Sequence, residues 1–259
     1  MPDSRSRFSK LIWHILCWNI RGLNSADKWP LVRDKIEESA ASILCFQETK
    51  RAVIDSQFLK TFAPRHFDQF AFVPSDGASG GLLVVWASSR FAGQVLLSES
   101  FGIVVQFTSA SSSESFILVN VYGPCEGVER ENFVAWLFHL DVADDTLWLI
   151  LGDFNFYRYT DSRNRPGANL TDIATFSEII SYLGLVELPI KGRSYTWSNM
   201  HADPLLVQLD WFFTSSAWTL KYPNTTVRPL SRPTSDHTPC VVSIGSCIPK
   251  ASLFRFENH

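Results

Sequence analysis

Short apolar runs rich in Val, Ile, Phe and Trp recur along the chain at residues 11–18, 43–46, 82–86, 103–107, 116–121, 147–151, 205–213 and 240–244. Each has strand length, and their composition suits half-buried or fully buried β-structure. Between them, helical spacing predicts helices over 28–40, with Pro30 near the start, over 129–140, and over 170–183, stopped by Gly184. Strands and helices therefore alternate. The stretch 93–121 breaks the rule, because its strands follow one another across the Ser-rich turn 109–115, which is hairpin behaviour. The pattern predicts an α/β layered fold with two mixed sheets. The Ser-rich turn is too short for an interdomain linker, and no internal repeat or charged block divides the chain.

Composition narrows the class. With 259 residues, 46% hydrophobic and 19% charged, and with 20 Phe and 9 Trp, the chain has enough apolar surface for one large core, which excludes a disordered or fibrous protein. The expected division is a flexible start at 1–10, one domain over 11–246 and a tail at 247–259. A net charge of −3 lacks the basic excess of a non-specific nucleic-acid binder or a polybasic membrane anchor, so any phosphate-bearing partner must be gripped locally. Cys17, Cys45, Cys125, Cys240 and Cys247 are odd in number and show no CxxC spacing, which predicts neither disulfides nor zinc and fits a reducing compartment. Arg5, Arg7 and Lys10 before the first apolar run imitate a secretory signal. His14 interrupts that run, Asn19 and Arg21 close it, and no small-x-small cleavage site follows, so an internal first strand is expected. No run of about 18 apolar residues predicts a membrane span.

Oxygen-bearing side chains gather where the apolar runs end. Asn19 closes the first, Glu48 the second, and Asp153 and Asn155 follow 147–151 through Gly152. Taken singly, each is as well read as a turn former or a solvated acid. Jointly they point elsewhere, because strand ends in an α/β sheet form the crevice where ligands sit. A set of carboxylate and amide oxygens suits a hard divalent cation such as Mg²⁺. Asp210 lies inside the apolar stretch 209–213, where a charge needs a partner, and His237 in Ser235-Asp236-His237 is a candidate. A histidine held by a buried carboxylate is kept cationic, which suits contact with a phosphate.

The ordered motifs Trp18-Asn19-Ile20-Arg21-Gly22-Leu23, Phe46-Gln47-Glu48-Thr49, Gly80-Gly81-Leu82, Asn120-Val121-Tyr122-Gly123-Pro124, Gly152-Asp153-Phe154-Asn155, Tyr195-Thr196-Trp197-Ser198-Asn199, Leu209-Asp210 and Ser235-Asp236-His237 resemble the endonuclease/exonuclease/phosphatase superfamily across nearly the whole chain. More narrowly, the chain resembles the endonuclease domain of plant LINE-type (non-LTR) retrotransposons, with Phe-Arg-Phe-Glu-Asn at 254–258 as a closing motif. That resemblance implies a four-layered α/β sandwich, two mixed sheets face to face with flanking helices. It also implies phosphodiester hydrolysis with Mg²⁺, or Mn²⁺ in its place, on double-stranded DNA. Glu48 is then the main metal ligand, with Asn19 and Asp236; Asp153 activates water, Asn155 positions it, and His237, oriented by Asp210, contacts the scissile phosphate beside Tyr122. Tyr122 alone has a second reading, a strand-end aromatic packed beside Pro124.

Arg21 stands where the DNA-repair branch usually has an acid, so a metal contact is lost or supplied elsewhere and Arg21 is free to meet a DNA phosphate. Thr196 and Val207 stand where that branch lines an abasic-sugar pocket with aromatics, which argues against abasic-site repair. Tyr195 and Asn199 are further candidates for DNA contact, while Trp197 reads equally well as core. The lineage implies a nick in target DNA that leaves a 3′-hydroxyl for priming, a nuclear setting, no membrane and no obligate protein partner. A reverse transcriptase does not fit within these 259 residues. The same fold offers phosphoinositide phosphatase, sphingomyelinase and deadenylase activity as alternatives, and a catalytically silent remnant is a further one.

Overall fold

The computed structural model describes residues 12–245 apart from Ala78 and Asp144. The expected flexible start at 1–10, the tail at 247–259 with its 254–258 motif, and Cys247 lie outside the described residues. In chain order the elements are β1 (Ile12–Asn19), α1 (Lys28–Ser39), β2 (Ile43–Gln47), α2 (Ser56–Phe62), β3 (Gln69–Val73), β4 (Leu82–Trp86), β5 (Phe91–Glu99), β6 (Gly102–Ser109), β7 (Ser115–Tyr122) and α3 (Glu129–Phe138). Then come β8 (Trp148–Asp153), α4 (Leu170–Tyr182), β9 (Val186–Glu187), β10 (Trp197–Ser198), β11 (Leu206–Val207), β12 (Asp210–Thr214), α5 (Ser216–Lys221), β13 (Thr226–Pro229) and β14 (Cys240–Gly245).

Two six-stranded sheets result, in the orders β13-β14-β1-β2-β4-β3 and β5-β6-β7-β8-β12-β9, with β10 and β11 as a separate ribbon. Only β1–β2 and β7–β8 pair in parallel; the other neighbours are antiparallel. Alternation along the central strands explains the layering. On β1, Ile15 and Cys17 enter the core between the sheets, while Leu16 and Trp18 enter a second core with Val32 and Ile36 of α1 and Phe62 of α2. On β8, Leu149 and Leu151 face the first core, and Ile150 packs with Phe133 of α3 and Phe176 of α4 in a third. A strand buried on both faces must be apolar at every position, which is why these segments read as unbroken runs. Three cores between four layers are the α/β sandwich expected.

The run 205–213 is not one strand. Gln208 donates its backbone N–H to Ser162 and Leu209 offers its carbonyl to Phe154, so the backbone leaves the ladder between β11 and β12. Helix α2 escapes sequence reading because seven residues cannot display a helical period; Asp55 nucleates it by accepting from the Phe58 N–H at 2.7 Å. Strand β5 escapes it because most of its residues are exposed. No helix among the described residues is long and apolar enough to cross a membrane.

One buried amide ties the two sheets together under the edge where β1, β2, β7 and β8 end. Asn120 of β7 donates to the carbonyls of Phe46 and Leu83 at 3.2 Å each, on β2 and β4, and accepts from Gln47 Nε2. All of this is sealed from solvent, so truncation orphans polar groups that water cannot reach. Asn120→Ala is expected to lower stability by about 2–3 kcal/mol. An unchanged urea midpoint would show that the bridge carries no such weight.

Candidate active site

Four strand ends converge at one edge of the sandwich, and three of them turn through left-handed backbone. Arg21, Glu48 and Asn155 have φ of 50°, 50° and 53°. Non-glycine residues adopt that region at a cost and are held there only by their surroundings. Gly152 (φ 144°) allows the closest approach of β7 to β8: a Cβ there would meet the Val121 carbonyl oxygen at 2.0 Å. That contact sets the register in which Asp153 lies beside Tyr122 on one side and Asp210 on the other.

Asp153 has no solvent exposure. Its carboxylate accepts from Asn19 Nδ2 at 2.8 Å, from the Asn155 backbone N–H at 3.1 Å and from Asn155 Nδ2 at 3.3 Å. Asn155 is fixed in turn by donating Nδ2 to the Gly123 carbonyl at 2.8 Å. Asn19 also donates to Glu48 Oε1 at 3.2 Å, and the Tyr122 hydroxyl donates to the same oxygen at 3.0 Å. Burial pushes the Asp153 carboxyl upward, His237 opposes this and Asp210 reinforces it, leaving it well above the usual carboxylate range. Burial also pushes Glu48 upward, but the Asn19 and Tyr122 hydrogen bonds and the Lys50 charge outweigh it, so Glu48 lies below its ordinary value. Burial, then Glu48 and Asp153, raise the Tyr122 phenol far above its ordinary value, so it remains a donor.

His237 is buried between two carboxylates. Its Nδ1 is 2.9 Å from Asp210 Oδ2, and its Nε2 is 3.6 Å from Asp153 Oδ2. Burial alone would lower the imidazole, but Asp210 and Asp153 overcome it and hold the group up at about 9. The ring is therefore a cation at neutral pH. Its backbone is pinned as well, because Ser235 Oγ donates to the Asn19 carbonyl at 2.8 Å and accepts from the His237 N–H at 3.1 Å.

Asn19, Glu48, Tyr122, Asp153, Asn155, Asp210 and His237 thus lie in one cluster, held by these hydrogen bonds and by the 3.6 Å contact between His237 and Asp153. Asp236 sits at its margin with other partners. Its Oδ2 accepts from Arg21 Nη1 and from Trp197 Nε1, the latter at 2.9 Å, and its Oδ1 from Ser235 Oγ at 3.4 Å. Asn199 lies apart: its side-chain oxygen accepts from the His201 and Leu205 N–H groups and shapes the β10–β11 turn. Tyr195 lines a separate hollow beside Trp197.

Two lysines that sequence reasoning passed over belong to the site's surroundings. Lys50 Nζ is 3.5 Å from Glu48 Oε2, and Lys28 reaches the carbonyls of Ile20 and Arg21. Burial, Lys50 and Arg21 push Lys28 down to about 8. Lys50, two residues beyond Glu48, was discoverable from spacing; Lys28 is brought close only by the turn into α1.

Asp153, Asp210 and His237 are near enough to ring an ion, with ligand atoms within 4.8 Å of one another. A cationic imidazole committed to Asp210 is a poor ligand, so this trio is better understood as an ion-pair relay. Glu48 offers carboxylate oxygens that suit a hard divalent cation, whereas Asn19 presents its Nδ2 to Glu48 and Asp153 and its Oδ1 to the Arg21 N–H, so its oxygen reaches a shared ion only if the amide turns. The cluster opens beside Tyr122 into a groove of about 530 Å³ bordered by Pro74, Gly80, Gly81 and Phe101.

A transposon TX1 149 kDa protein of Xenopus laevis is 28% identical over 188 residues, which is 68% of this chain and 14% of that protein's length. Among solved structures, the AP endonuclease LMAP of Leishmania major superposes with a TM-score of 0.68 at 18% identity, covering 90% of this chain and 88% of its own. The endonuclease domain of TRAS1, a telomere-specific non-LTR retrotransposon, gives 0.68 at 14% identity, covering 90% and 98%. These structural likenesses establish the shared fold. The sequence pattern of the Endonuclease/Exonuclease/phosphatase family matches residues 16–237, a span that begins in β1 and ends on the buried histidine. The chain belongs to the endonuclease/exonuclease/phosphatase family.

Proposed function

We propose that the protein is a Mg²⁺-dependent phosphodiesterase that nicks double-stranded DNA and leaves a 3′-hydroxyl. The observation that carries this reading is the convergence of Asn19, Glu48, Asp153, Asn155 and His237 from separate strand ends into one cluster. The transposon relative and the retrotransposon endonuclease neighbour favour DNA as the substrate and the nucleus as its place.

Glu48 would hold the metal, Asn19 would join it by turning its amide oxygen away from the Arg21 N–H, and Asp236 would do so only by releasing Arg21 and Trp197. When bound, the ion neutralises charge on the phosphoryl oxygens and eases deprotonation of the attacking water. Asp153, lifted by burial toward the operating pH, takes the proton from that water, which Asn155 orients. Cationic His237, anchored at Nδ1 by Asp210, aims its Nε2–H at the phosphoryl oxygen that gains charge. Tyr122, kept protonated by its raised pKa, offers its O–H as a hydrogen-bond donor to the same region, and the departing 3′-oxygen takes its proton from solvent.

On supercoiled plasmid, Mg²⁺ is expected to yield relaxed circles and EDTA none, and a DNA polymerase should extend the nicks without end repair. Asp153→Ala and His237→Ala should each slow nicking by at least about 10²-fold. Equal nicking by Asp153→Ala would defeat the assignment, and phosphate release from inositol lipids without nicking would replace it with a lipid phosphatase.

The His237 charge also makes stability depend on pH. Its folded value of about 9 exceeds the ordinary 6.5, so the stabilisation is complete below 6.5 and is lost as pH rises through about 9. In metal-free protein, Asp210→Asn should destabilise by about 3 kcal/mol at the low end, the cost of leaving a buried charge unpaired. That gap should narrow across this window; a constant gap in thermal unfolding would show that the pair is not ionic.

A further inference from the structure

The Ser235–Asp236–His237–Thr238 segment is braced from outside by two arginines that sequence reasoning did not single out. Arg232 Nη1 donates to the Asp236 carbonyl at 2.9 Å, and Arg193 Nη1 donates to Thr238 Oγ1 at 2.8 Å. Both guanidinium groups line one hollow of about 310 Å³ with Tyr195, Trp197 and Leu206. Neither forms an ion pair among the described residues, and each makes one hydrogen bond there, to a neutral oxygen. A guanidinium carries five N–H donors, so most of this capacity is unassigned.

The charge around the candidate active site is one-sided. The groove on the Tyr122 side carries Asp76, Glu126 and Glu129. The Asp236 side carries more cations than acids, linked by contacts: Lys28 touches the Arg21 carbonyl, Arg21 pairs with Asp236, and Asp236 receives Arg232, which shares its hollow with Arg193. In a chain of net charge −3, such a local group of cations gives a polyanion a place to be held. The ring of Trp197 is fixed by its indole N–H on Asp236 at 2.9 Å, giving the hollow a rigid aromatic wall suited to a nucleotide's base or sugar.

We propose that this hollow is a second anchoring subsite for the substrate DNA, in which Arg193 and Arg232 clamp one backbone phosphate between them while Tyr195 and Trp197 flank the attached nucleoside. The inference rests on the reading of the chain as a DNA phosphodiesterase. Because both arginines hold the segment that carries His237, the clamped phosphate keeps a constant distance from the scissile one.

The test is binding of a duplex oligonucleotide, in EDTA and in the Asp153→Ala background, so that cleavage plays no part. One neutralised phosphate contributes about 0.9 to the slope of log affinity against log salt. Arg193→Gln with Arg232→Gln should lower the slope by about that amount and weaken binding about tenfold at low salt. Arg193→Lys with Arg232→Lys should preserve the slope, and Arg65→Gln, on the distant Pro64–Phe67 turn, should change nothing. Binding with an unaltered slope in the double Gln protein would overturn the subsite while leaving the DNA reading intact. Absence of any duplex binding by the parent protein would overturn the DNA reading, and the subsite with it.

Discussion

Desolvation of charge is the constraint on which this structure turns. Asp153, Asp210 and His237 are all buried at the edge of a sandwich whose three cores are built from aliphatic and aromatic side chains. None is tolerable there alone, since an isolated buried ion is opposed by far more than the net stability of a domain. Together they form a closed arrangement in which a cationic imidazole stands between two carboxyl groups and Asp153 also accepts N–H groups from Asn19 and the Asn155 backbone. Removing one member therefore disturbs the others, and the same mutual dependence holds the imidazole charged and the Asp153 carboxyl raised.

The fold serves that arrangement by making it hard to deform. Strands β1, β2, β7 and β8 are central to their sheets and covered on both faces, so their ends cannot drift relative to one another without opening a core. Asn120 locks the sheets in register below the site, and Gly152 lets β7 and β8 close to a distance no side chain would allow. Above this platform the left-handed turns at Arg21, Glu48 and Asn155 redirect the backbone so that side chains from three strand ends meet.

Arg21 alters the character of the site's margin. Through Asp236 it connects the β1 end to the loop bearing His237 and occupies that carboxylate. The pairing leaves Glu48 as the more available acid, beside Lys50 and Lys28, and gives the open edge an acidic flank at Tyr122 and a basic flank at Asp236.

Periodicity and composition by themselves located the three long helices and most of the buried strands, the mixed two-sheet class and the polar residues that close three of the apolar runs. Those features are legible because a strand covered on both faces must be apolar at successive positions and must end where polar groups return. Short or exposed elements such as α2 and β5 carry no such burial signal, and the split of 205–213 follows from backbone partners at Ser162 and Phe154 that lie far away in the chain. Only the tertiary structure decided that Asp236 meets Arg21 and Trp197, that Lys28 approaches Glu48, and that Arg193 and Arg232 share one hollow. Such meetings depend on sheet register and on the desolvation of each group, and neither is encoded in any local stretch of residues.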